Sequence, residues 1–478
     1  MTTTVSASDF TLAAGAVQTQ IGDSAIFVSS TSNLYGPSLT LAGTLAVSPD
    51  PALAGAGVIR GVEVAGYGSF FQDATIHVTQ TGIVRVDTAG AAYAVGYGIY
   101  ATSWSPRVVN DGLVRVASHS GATGIAQGTI EDQDPAPSVL NNGHVVVTSD
   151  QQAEGVSLQG GKFENHGQVE VTGTGAVTGV RFAQHDSSFI NTGEIRVVDL
   201  SGGGQGVGVY FSSNITHTLL ATPHDIGIWR NEGVIAADVA LKIVQSSIMH
   251  AQVFENTGQM LGAVQADLGS QTLVNSGVIQ GAVDLGGDND VYDGHLGSAS
   301  GMVAGGAGAD SLAGGAMFDS LQGNMGDDTL DGGQGDDWVV GGKDNDSLSG
   351  GAGGDVVWGN LGNDTQDGGD GNDQVRGGQG DDSITGGAGN DFVSGDRGAD
   401  TIAGGSGADT FHGSQDAGID RVVDFNLAEG DRVQLDPGTT YALMQVGADT
   451  VLDMGGGHQM ILVGVSMASL PPGWIFGT

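Results

Sequence analysis

The sequence contains no cysteine, so neither a disulfide bond nor a thiolate metal site can stabilise the fold. Basic residues are scarce: 14 Lys and Arg stand against 54 Asp and Glu, and the formal net charge is −40. So acidic a protein repels the phosphate backbone of nucleic acid, and we expect no nucleic-acid partner. No apolar run approaches the ~20 residues of a membrane-spanning helix. The first residues, MTTTVSASDF, lack the basic segment of a secretory signal peptide. We therefore expect no membrane span and no N-terminal export signal.

Glycine and short apolar runs are abundant instead. The chain of 478 residues contains 86 glycines, and hydrophobic residues make up 39 % of it. Val, Ile and Leu recur in short alternating runs, which indicates a folded, β-rich protein and not a disordered acidic tail. The mutual repulsion of the acidic side chains must be offset, and bound cations would offset it.

A nonapeptide repeats without interruption through twelve units, from residue 305 to residue 412. Position one is glycine in every unit, and position eight is Leu, Val, Ile or Phe in all units but one, where it is Gln366. A register held over so many units is the sign of a repeat architecture, whereas a flexible glycine-rich linker would not keep it. Position six is aspartate in all twelve units: Asp310, Asp319, Asp328, Asp337, Asp346, Asp355, Asp364, Asp373, Asp382, Asp391, Asp400 and Asp409.

Strand geometry and ligand chemistry explain this repeat. Glycines at positions one, two and four permit a positive-φ turn that directs backbone carbonyls inward, and the aspartate adds a hard anionic oxygen. The next three residues predict a short strand whose single apolar side chain enters a thin core. Two units make one turn, so aspartates 18 residues apart stack in two columns. Carboxylates that close need a cation between them, and ligands that are all oxygen favour several Ca²⁺ ions.

Residues 305–412 resemble the calcium-binding repeats of RTX proteins. The resemblance implies that the position-six aspartates are calcium ligands in a parallel β-roll. Some units depart from the glycine pattern of this family. We expect these departures to weaken individual calcium sites, most of all in the unit 314–322. They replace glycine at position four or position two: Met317, Asp344, Asn324, Asn360 and Asp396.

A looser repeat precedes the nonapeptides, in roughly residues 75 to 285. Each Asn-x-Gly tripeptide has an apolar residue two before it and another two after its glycine, which predicts a turn followed by an alternating strand. A second strand is predicted to begin near Gly124, Gly155 and Gly179, each 14 residues after an asparagine. One tripeptide per coil predicts a right-handed parallel β-helix in which the asparagines stack as a ladder. The tripeptides begin at Asn110, Asn141, Asn165, Asn191, Asn231, Asn256 and Asn275.

This second pattern resembles the passenger-type β-helices of autotransporters and filamentous haemagglutinins. A β-sandwich array is the alternative, because short alternating strands with turn signals also describe that fold. We thus predict an all-β chain, with an N-terminal right-handed parallel β-helix followed by a calcium-binding parallel β-roll. The predicted segments are an N-terminal cap at 1–60, the β-helix at 61–285, a junction at 286–304, the roll at 305–412 and a C-terminal cap at 413–478.

The C-terminal segment contains alternating apolar stretches, DRVVDFNLAEGDRVQL and QMILVGVSMASLPPGWIFGT, that are suited to closing the open end of the roll. It also resembles the segment that follows the repeats in type I secretion substrates, including serralysin-like proteases and mannuronan epimerases. The resemblance implies an uncleaved C-terminal export signal and the type I secretion machinery as a partner. The repeats would then fold outside the cell, where calcium is plentiful.

Compact catalytic motifs are absent from the sequence, which has neither His-Glu-x-x-His nor Gly-x-Ser-x-Gly. A polysaccharide lyase or epimerase stays open, because such enzymes assemble a site on the outside of a β-helix without a compact motif. Its weak candidates are His224, Asp225 and Arg230, in the long step between two tripeptides. The alternative for these residues is an ordinary surface loop.

QTGIVRV, from Gln80, is a variant member of the Asn-x-Gly set. Three arginines, Arg85, Arg115 and Arg196, occupy the same position after Asn-x-Gly or this variant. They would line one outer face, either gripping an anionic glycan or standing as solvated charges that prevent sheet association. Taken together, the sequence predicts a secreted calcium-binding protein with an adhesive or structural role at a cell surface or in a matrix. Its expected partners are calcium, a cell-surface or extracellular polysaccharide and further copies of itself. The alternative is a polysaccharide-modifying enzyme.

Overall fold

The fold was analysed in a computed structural model of the chain. Contacts divide it into two compact units: unit 1 contains Met1–Met249 and Val253–Asp267, and unit 2 contains His250–Gln252 and Leu268–Thr478. The structure describes residues 3–5, 10–12, 17–21, 24–28, 34–35, 38–48, 58–65, 71–72, 75–87, 95–102, 107–127, 138–159, 161–183, 187–203, 206–213, 229–245, 252–415 and 418–477.

Unit 1 is a coil of three parallel sheets, and each turn contributes one strand to each sheet. The first sheet contains the strands that end at the asparagines, namely Phe10–Leu12, Ser38–Leu41, Thr75–Val78, Arg107–Asn110, Ser138–Asn141, Gly161–Asn165, Ser187–Asn191, Trp229–Asn231 and Gln252–Asn256. The second sheet follows the turn, with Val17–Ile21, Thr44–Ser48, Ile83–Asp87, Leu113–Ser118, His144–Ser149, Gln168–Gly173, Glu194–Asp199, the start of Val234–Gln245, and Gln259–Ala266.

The third sheet completes each turn of unit 1. It contains Thr3–Val5, Ser24–Val28, Val58–Ala65, Val95–Thr102, Ala122–Gln127, Ala153–Leu158, Val177–Phe182, Val207–Ser213 and the end of Val234–Gln245. One short parallel pair, Leu34–Tyr35 with Phe71–Gln72, lies outside the three sheets. Because these pairings are parallel and in register, the solenoid prediction is confirmed and the β-sandwich alternative is wrong.

Alternation of side chains places the core of unit 1 inside the coil. In the strand Leu113–Ser118, Val114 and Val116 are fully buried while Arg115 between them is exposed. In the third sheet, Gly124 has no room for a side chain. A Cβ added there would lie 2.5 Å from Cγ1 of Val145 and 2.6 Å from the carbonyl oxygen of Gly155. The predicted step at this glycine is therefore a point of close backbone approach.

The predicted asparagine ladder is present and buried. The side-chain Nδ2 of each asparagine donates to Oδ1 of the asparagine one coil later, at 2.7–2.8 Å. Each amide therefore uses both a donor and an acceptor within the column. The ladder connects Asn110, Asn141, Asn165, Asn191, Asn231 and Asn256.

Unit 2 is built mainly of two parallel sheets that alternate along the chain. Sheet A contains Val283–Asp284, Val303–Ala307, Ser320–Met325, Trp338–Lys343, Val356–Leu361, Gln374–Gln379, Phe392–Arg397, Thr410–Gly413, Arg432–Leu435 and Ile475–Phe476. Sheet B contains Gln271–Asn275, Val291–Asp293, Ser311–Ala313, Thr329–Gln334, Ser347–Ala352, Thr365–Asp370, Ser383–Ala388, Thr401–Ser406, Ile419–Val422 and His458–Leu462. A further pair, Val278–Gln280 with Ser298–Ala299, completes the early turns.

The C-terminal segment adds strands to both sheets at the end of the roll. Two antiparallel strands, Ala442–Val446 and Asp449–Gly455, extend sheet B beyond His458–Leu462, and a 3₁₀ helix follows at Met467–Ser469. Aromatic side chains seal this end: the ring centroid of Phe425 lies 5.9 Å from that of Phe411 and 5.9 Å from that of Trp474. Among the described residues, no helix has the length and hydrophobicity needed to span a membrane.

Candidate metal centre

The position-six aspartates stack in two columns with a spacing of 18 residues, as predicted. In each column the backbone N–H of one aspartate donates to Oδ1 of the aspartate one turn later, at 2.7–2.9 Å. The first column precedes the strands of sheet B: Asp310, Asp328, Asp346, Asp364, Asp382 and Asp400. The second precedes the strands of sheet A: Asp319, Asp337, Asp355, Asp373, Asp391 and Asp409.

The second carboxylate oxygen, Oδ2, has no hydrogen-bond partner in eleven of these twelve aspartates, although it is buried. A buried anionic oxygen without a partner costs several kcal/mol, and native proteins rarely keep one uncompensated. The exception is Asp319, whose Oδ2 accepts the backbone N–H of Gly315 at 2.7 Å. The columns therefore present rows of unsatisfied oxygen ligands, which is what a hard cation requires.

The position-one glycine leaves space beside this unsatisfied oxygen. A Cβ built on Gly332, Gly350, Gly368 or Gly386 would lie 2.6–2.8 Å from Oδ2 of the aspartate five residues later. Positive φ angles occur at the glycines of positions two and four, such as Gly351 at 106° and Gly353 at 148°, but not at position one. The prediction that position one needs positive φ is therefore wrong, because its glycine is required by the volume next to the carboxylate.

The departures at positions two and four mostly keep the turn intact. Asn324, Asn360, Asp396 and Asp344 have φ angles of 85°, 80°, 63° and 75°. Asn and Asp tolerate this left-handed conformation better than other side chains do. The unit that contains Met317 differs, since neither Met317 nor its preceding glycine at position two has positive φ. This unit, 314–322, is also the one whose aspartate has its Oδ2 satisfied by the protein backbone.

Burial raises the pKa of the column aspartates. Desolvation is the main cause, and the neighbouring aspartates of the same column add repulsion for Asp346 and Asp382, whose pKa values rise to about 7. The pKa of Asp337 also rises to about 7, and those of Asp328 and Asp373 to about 6, for the same reasons. Ionised at neutral pH, the columns need a positive charge next to Oδ2.

Three aspartates that the nonapeptide register misses extend the columns. The N–H of Asp290 donates to Oδ1 of Asp310 at 2.8 Å. At the other end, Oδ1 of Asp420 accepts the N–H of Asp400 at 3.3 Å, and Oδ1 of Asp431 accepts the N–H of Asp409 at 3.0 Å. Their spacings of 20 or 22 residues break the nine-residue count, but each is followed two residues later by an apolar or aromatic side chain. That Asp-x-apolar signature is the signal that would have found them.

The side chains at position five form a second ladder of hydrogen bonds, which is exposed and which the sequence analysis did not predict. Oδ1 of Asp327 accepts the N–H of Asn345, whose own Oδ1 accepts the N–H of Asn363. The series continues through the N–H of Asp381 to Oδ1 of Asn363, at 2.8 Å. Side-chain oxygens at positions five and six thus connect each turn to the next, and of these two positions, in the described residues, only position six keeps a buried oxygen without a partner.

The described residues contain no group of three or more His, Cys, Asp or Glu side chains placed to share one metal ion. An ion beside the columns would therefore take most of its ligands from the backbone. Calcium accepts six to eight oxygen ligands, including backbone carbonyls, whereas zinc and copper favour imidazole or thiolate. The donor set fits calcium.

The other candidates do not form a site in the described residues. His224 and Asp225 lie outside those residues. Arg230 makes ion pairs, from its Nε to Oε2 of Glu255 at 2.7 Å and from its Nη1 to Oε1 of Glu232 at 3.5 Å. The guanidinium is thus already held by two carboxylates.

The predicted arginine face is a single column in the second sheet of unit 1. Arg85 pairs in register with Arg115, but Val146 and Glu170 then separate them from Arg196. Arg196 also faces Glu194, with 3.5 Å between Nε and Oε1. The three arginines therefore occupy one column, as expected, and Val146 and Glu170 interrupt it.

Comparison with known protein families gives a match for the residues of the roll. Four copies of the family model for the RTX calcium-binding nonapeptide repeat match residues 304–339, 331–366, 367–402 and 389–419. These residues are RTX-type calcium-binding repeats, calcium is their cofactor, and the repeats accommodate several ions. A search of curated proteins found no match for the chain.

Proposed function

We propose that the column aspartates bind calcium through Oδ2 and that calcium controls the folding of unit 2. The observation that supports this most strongly is the buried, unpartnered Oδ2 in eleven of the twelve position-six aspartates. Asp290 and Asp420, whose Oδ2 atoms are also buried without a partner, extend the same set. Asp319 is the weakest ligand, because the N–H of Gly315 already occupies its Oδ2.

The folding switch follows from the charge of the columns. At neutral pH each turn of the calcium-free roll has to bury ionised carboxylates beside one another, which opposes folding. The ligands are brought together only when the turns stack, so the free energy of calcium binding becomes free energy of folding. Unit 2 is then unfolded where calcium is scarce and folded where it is plentiful.

This behaviour suits an exported protein. RTX-type repeats fit a secreted location, and a chain that stays unfolded at low calcium can leave a cell before it folds. We assign the C-terminal segment, beginning at residue 413, a second role as the type I export signal. In the folded protein the same segment closes the roll with Phe425 and Trp474.

Outside the cell, we propose an adhesive or structural role at a surface or in a matrix, with unit 1 as the presenting body. Its long, regular sheets favour a rigid scaffold, and so does the asparagine ladder, whose amides hydrogen-bond to one another. A polysaccharide-modifying enzyme is the other candidate function, but no observation on the described residues favours it.

Calcium titration of the full-length chain, by calorimetry with circular dichroism in parallel, tests the proposal. We expect several ions to bind with a cooperative gain of β signal, and fewer than two ions or an unchanged spectrum would refute it. A matched pair of variants tests the ligands. Asp382→Asn keeps the Oδ1 acceptor but replaces Oδ2 with an amide, and should lower the calcium affinity. Asp381→Asn removes the same charge from the exposed ladder and should change the affinity little.

A further inference from the structure

The two outer faces of the roll differ in chemistry. On sheet B the outward positions seven and nine carry short polar side chains: Thr329, Asp331, Ser347, Ser349, Thr365, Asp367, Ser383 and Thr385. We call this the hydroxyl face. On sheet A the same positions form what we call the aromatic face: Trp338, Val340, Val356, Trp358, Gln374, Arg376, Phe392 and Ser394, of which Ser394 is buried.

Large rings form a row across the aromatic face. The ring centroids of Trp338 and Trp358, on neighbouring strands, lie 5.6 Å apart at 79°, and Trp338 is 44 % exposed. The Cζ atom of Arg376 lies 5.5 Å from the ring centroid of Phe392 on the next strand. Such rings add nothing to the core of the roll, which is formed by Val339, Val357 and their equivalents. Trp338 is the exposed ring of this row, and Trp358 and Phe392 are half-buried. A partly exposed aromatic cluster on a rigid sheet indicates a binding surface.

The charge of this face is opposite to that of the protein as a whole. The chain has a net charge of −40, yet none of the eight side chains of the aromatic face is acidic. Between residues 305 and 412 there are three Lys or Arg residues, and all lie on sheet A strands: Lys343, Arg376 and Arg397. Arg376 makes no ion pair among the described residues, and its Nε is buried without a hydrogen-bond partner. The face is therefore complementary to an anionic ligand.

The small area of the aromatic face indicates which kind of ligand it can bind. Four strands at ~4.8 Å spacing make a strip ~15 Å long, with two outward side chains per strand. A stable protein–protein interface needs ~800 Å² on each partner, several times the area of this strip. A linear polymer of rings has the required shape, because the C–H faces of sugar rings pack against aromatic rings while their acidic groups reach a guanidinium.

We propose that the aromatic face binds an anionic saccharide chain. Sugar rings stack on Trp338 and Trp358, and Arg376, held against Phe392, binds a carboxylate or sulfate group of the chain. This inference goes beyond the calcium proposal, since it assigns a ligand class to a surface outside the aspartate columns. It requires a folded roll, so calcium is present in every binding experiment.

Three polymers with one backbone test the proposal on the full-length chain: dextran, carboxymethyl-dextran and dextran sulfate. We expect one or both charged polymers to bind at least about tenfold more tightly than dextran. Carboxymethyl-dextran and dextran sulfate distinguish a carboxylate from a sulfate ligand. Equal binding of all three polymers, or binding of none, would overturn the proposal.

Variants then test the surface. Trp338→Ser and Trp358→Ser, which introduce the residue type of the hydroxyl face, should each weaken binding about tenfold. Arg376→Gln should remove the preference for the charged polymer. Thr329→Ala and Ser347→Ala on the hydroxyl face are the controls and should bind normally.

Folding and self-association are checked on the same samples. Circular dichroism and calcium stoichiometry equal to wild type show that a loss of binding is not a loss of calcium-dependent folding. Unchanged polymer binding in the folded tryptophan variants would overturn the proposal. So would sedimentation showing that these variants abolish self-association alone, because the occupant would then be a second copy of the chain.

Discussion

Both units contain columns of stacked polar side chains, one column in unit 1 and two in unit 2, and the stacked side chains differ in a single chemical group. In unit 1 the asparagine amide donates through Nδ2 and accepts through Oδ1, so the ladder from Asn110 to Asn256 satisfies itself. In unit 2 the aspartate carboxylate can only accept. Its Oδ1 is used by the backbone and its Oδ2 is left over. Replacing an amide nitrogen by an oxygen thus turns a self-sufficient scaffold into one that needs a cation.

Removal of calcium should produce the largest difference in behaviour between the two units. In a chelator at pH 7.5 we expect unit 2 to lose its protection against amide hydrogen exchange, while unit 1 keeps the protection of its strands. Exchange followed by mass spectrometry reports peptides from both units in one sample. Magnesium in place of calcium is the control, because its smaller octahedral shell suits these carbonyl-rich turns poorly. Equal loss of protection in both units would contradict the comparison.

The pH dependence of the calcium-free chain should be the next largest effect. The folded pKa values of Asp346 and Asp382, about 7, exceed the ordinary value, so the folded roll binds more protons than the unfolded chain. This contribution to stability is complete below about pH 4 and disappears as pH rises through about 7. Without calcium, unit 2 should therefore be more stable at pH 5 than at pH 8.

With calcium the dependence should reverse, because protons then compete with the ion for Oδ2. The β signal in circular dichroism, at both pH values with and without calcium, compares all four cases, and urea unfolding adds the free energy wherever unit 2 is folded. The same sign of the pH effect in both series would show that Oδ2 is not the site of competition.

Replacing one asparagine of the ladder by aspartate should destabilise unit 1. Asn165→Asp keeps the acceptor for Asn141 but removes the donor to Asn191 and buries a charge. We expect the free energy of unfolding of unit 1 to fall by ~3 kcal/mol, with no rescue by calcium. Asn142→Asp, at the exposed position that follows Asn141 one coil earlier, is the control. It removes a donor to Asp111 at the surface, where repulsion is screened, and should cost less than ~1 kcal/mol. Rescue by calcium would mean that any carboxylate column can bind the ion.

The periodicity of both columns could be predicted from sequence, because a nine-residue register or an Asn-x-Gly turn fixes which residues stack. The reason for the position-one glycine could not, since it depends on where Oδ2 of an aspartate five residues later lies. Asp290, Asp420 and Asp431 were missed because their turns have a different length. The aromatic face was missed for another reason: Trp338, Trp358 and Phe392 look unrelated until alternate units are assigned to opposite sheets.

The smallest predicted effect concerns the one polar residue in the position-eight core. Gln366 is buried, and its Nε2 donates to the carbonyl of Arg376 at 2.7 Å, but its Oε1 has no partner. Unlike the aspartate Oδ2, this neutral oxygen has no cation to gain, so Gln366→Leu should stabilise calcium-bound unit 2 by ~1 kcal/mol. Thermal unfolding in calcium measures the shift, and Thr365→Leu on the exposed side of the same strand is the matched control. A destabilised Gln366→Leu would mean that the bond to the Arg376 carbonyl outweighs the unsatisfied oxygen.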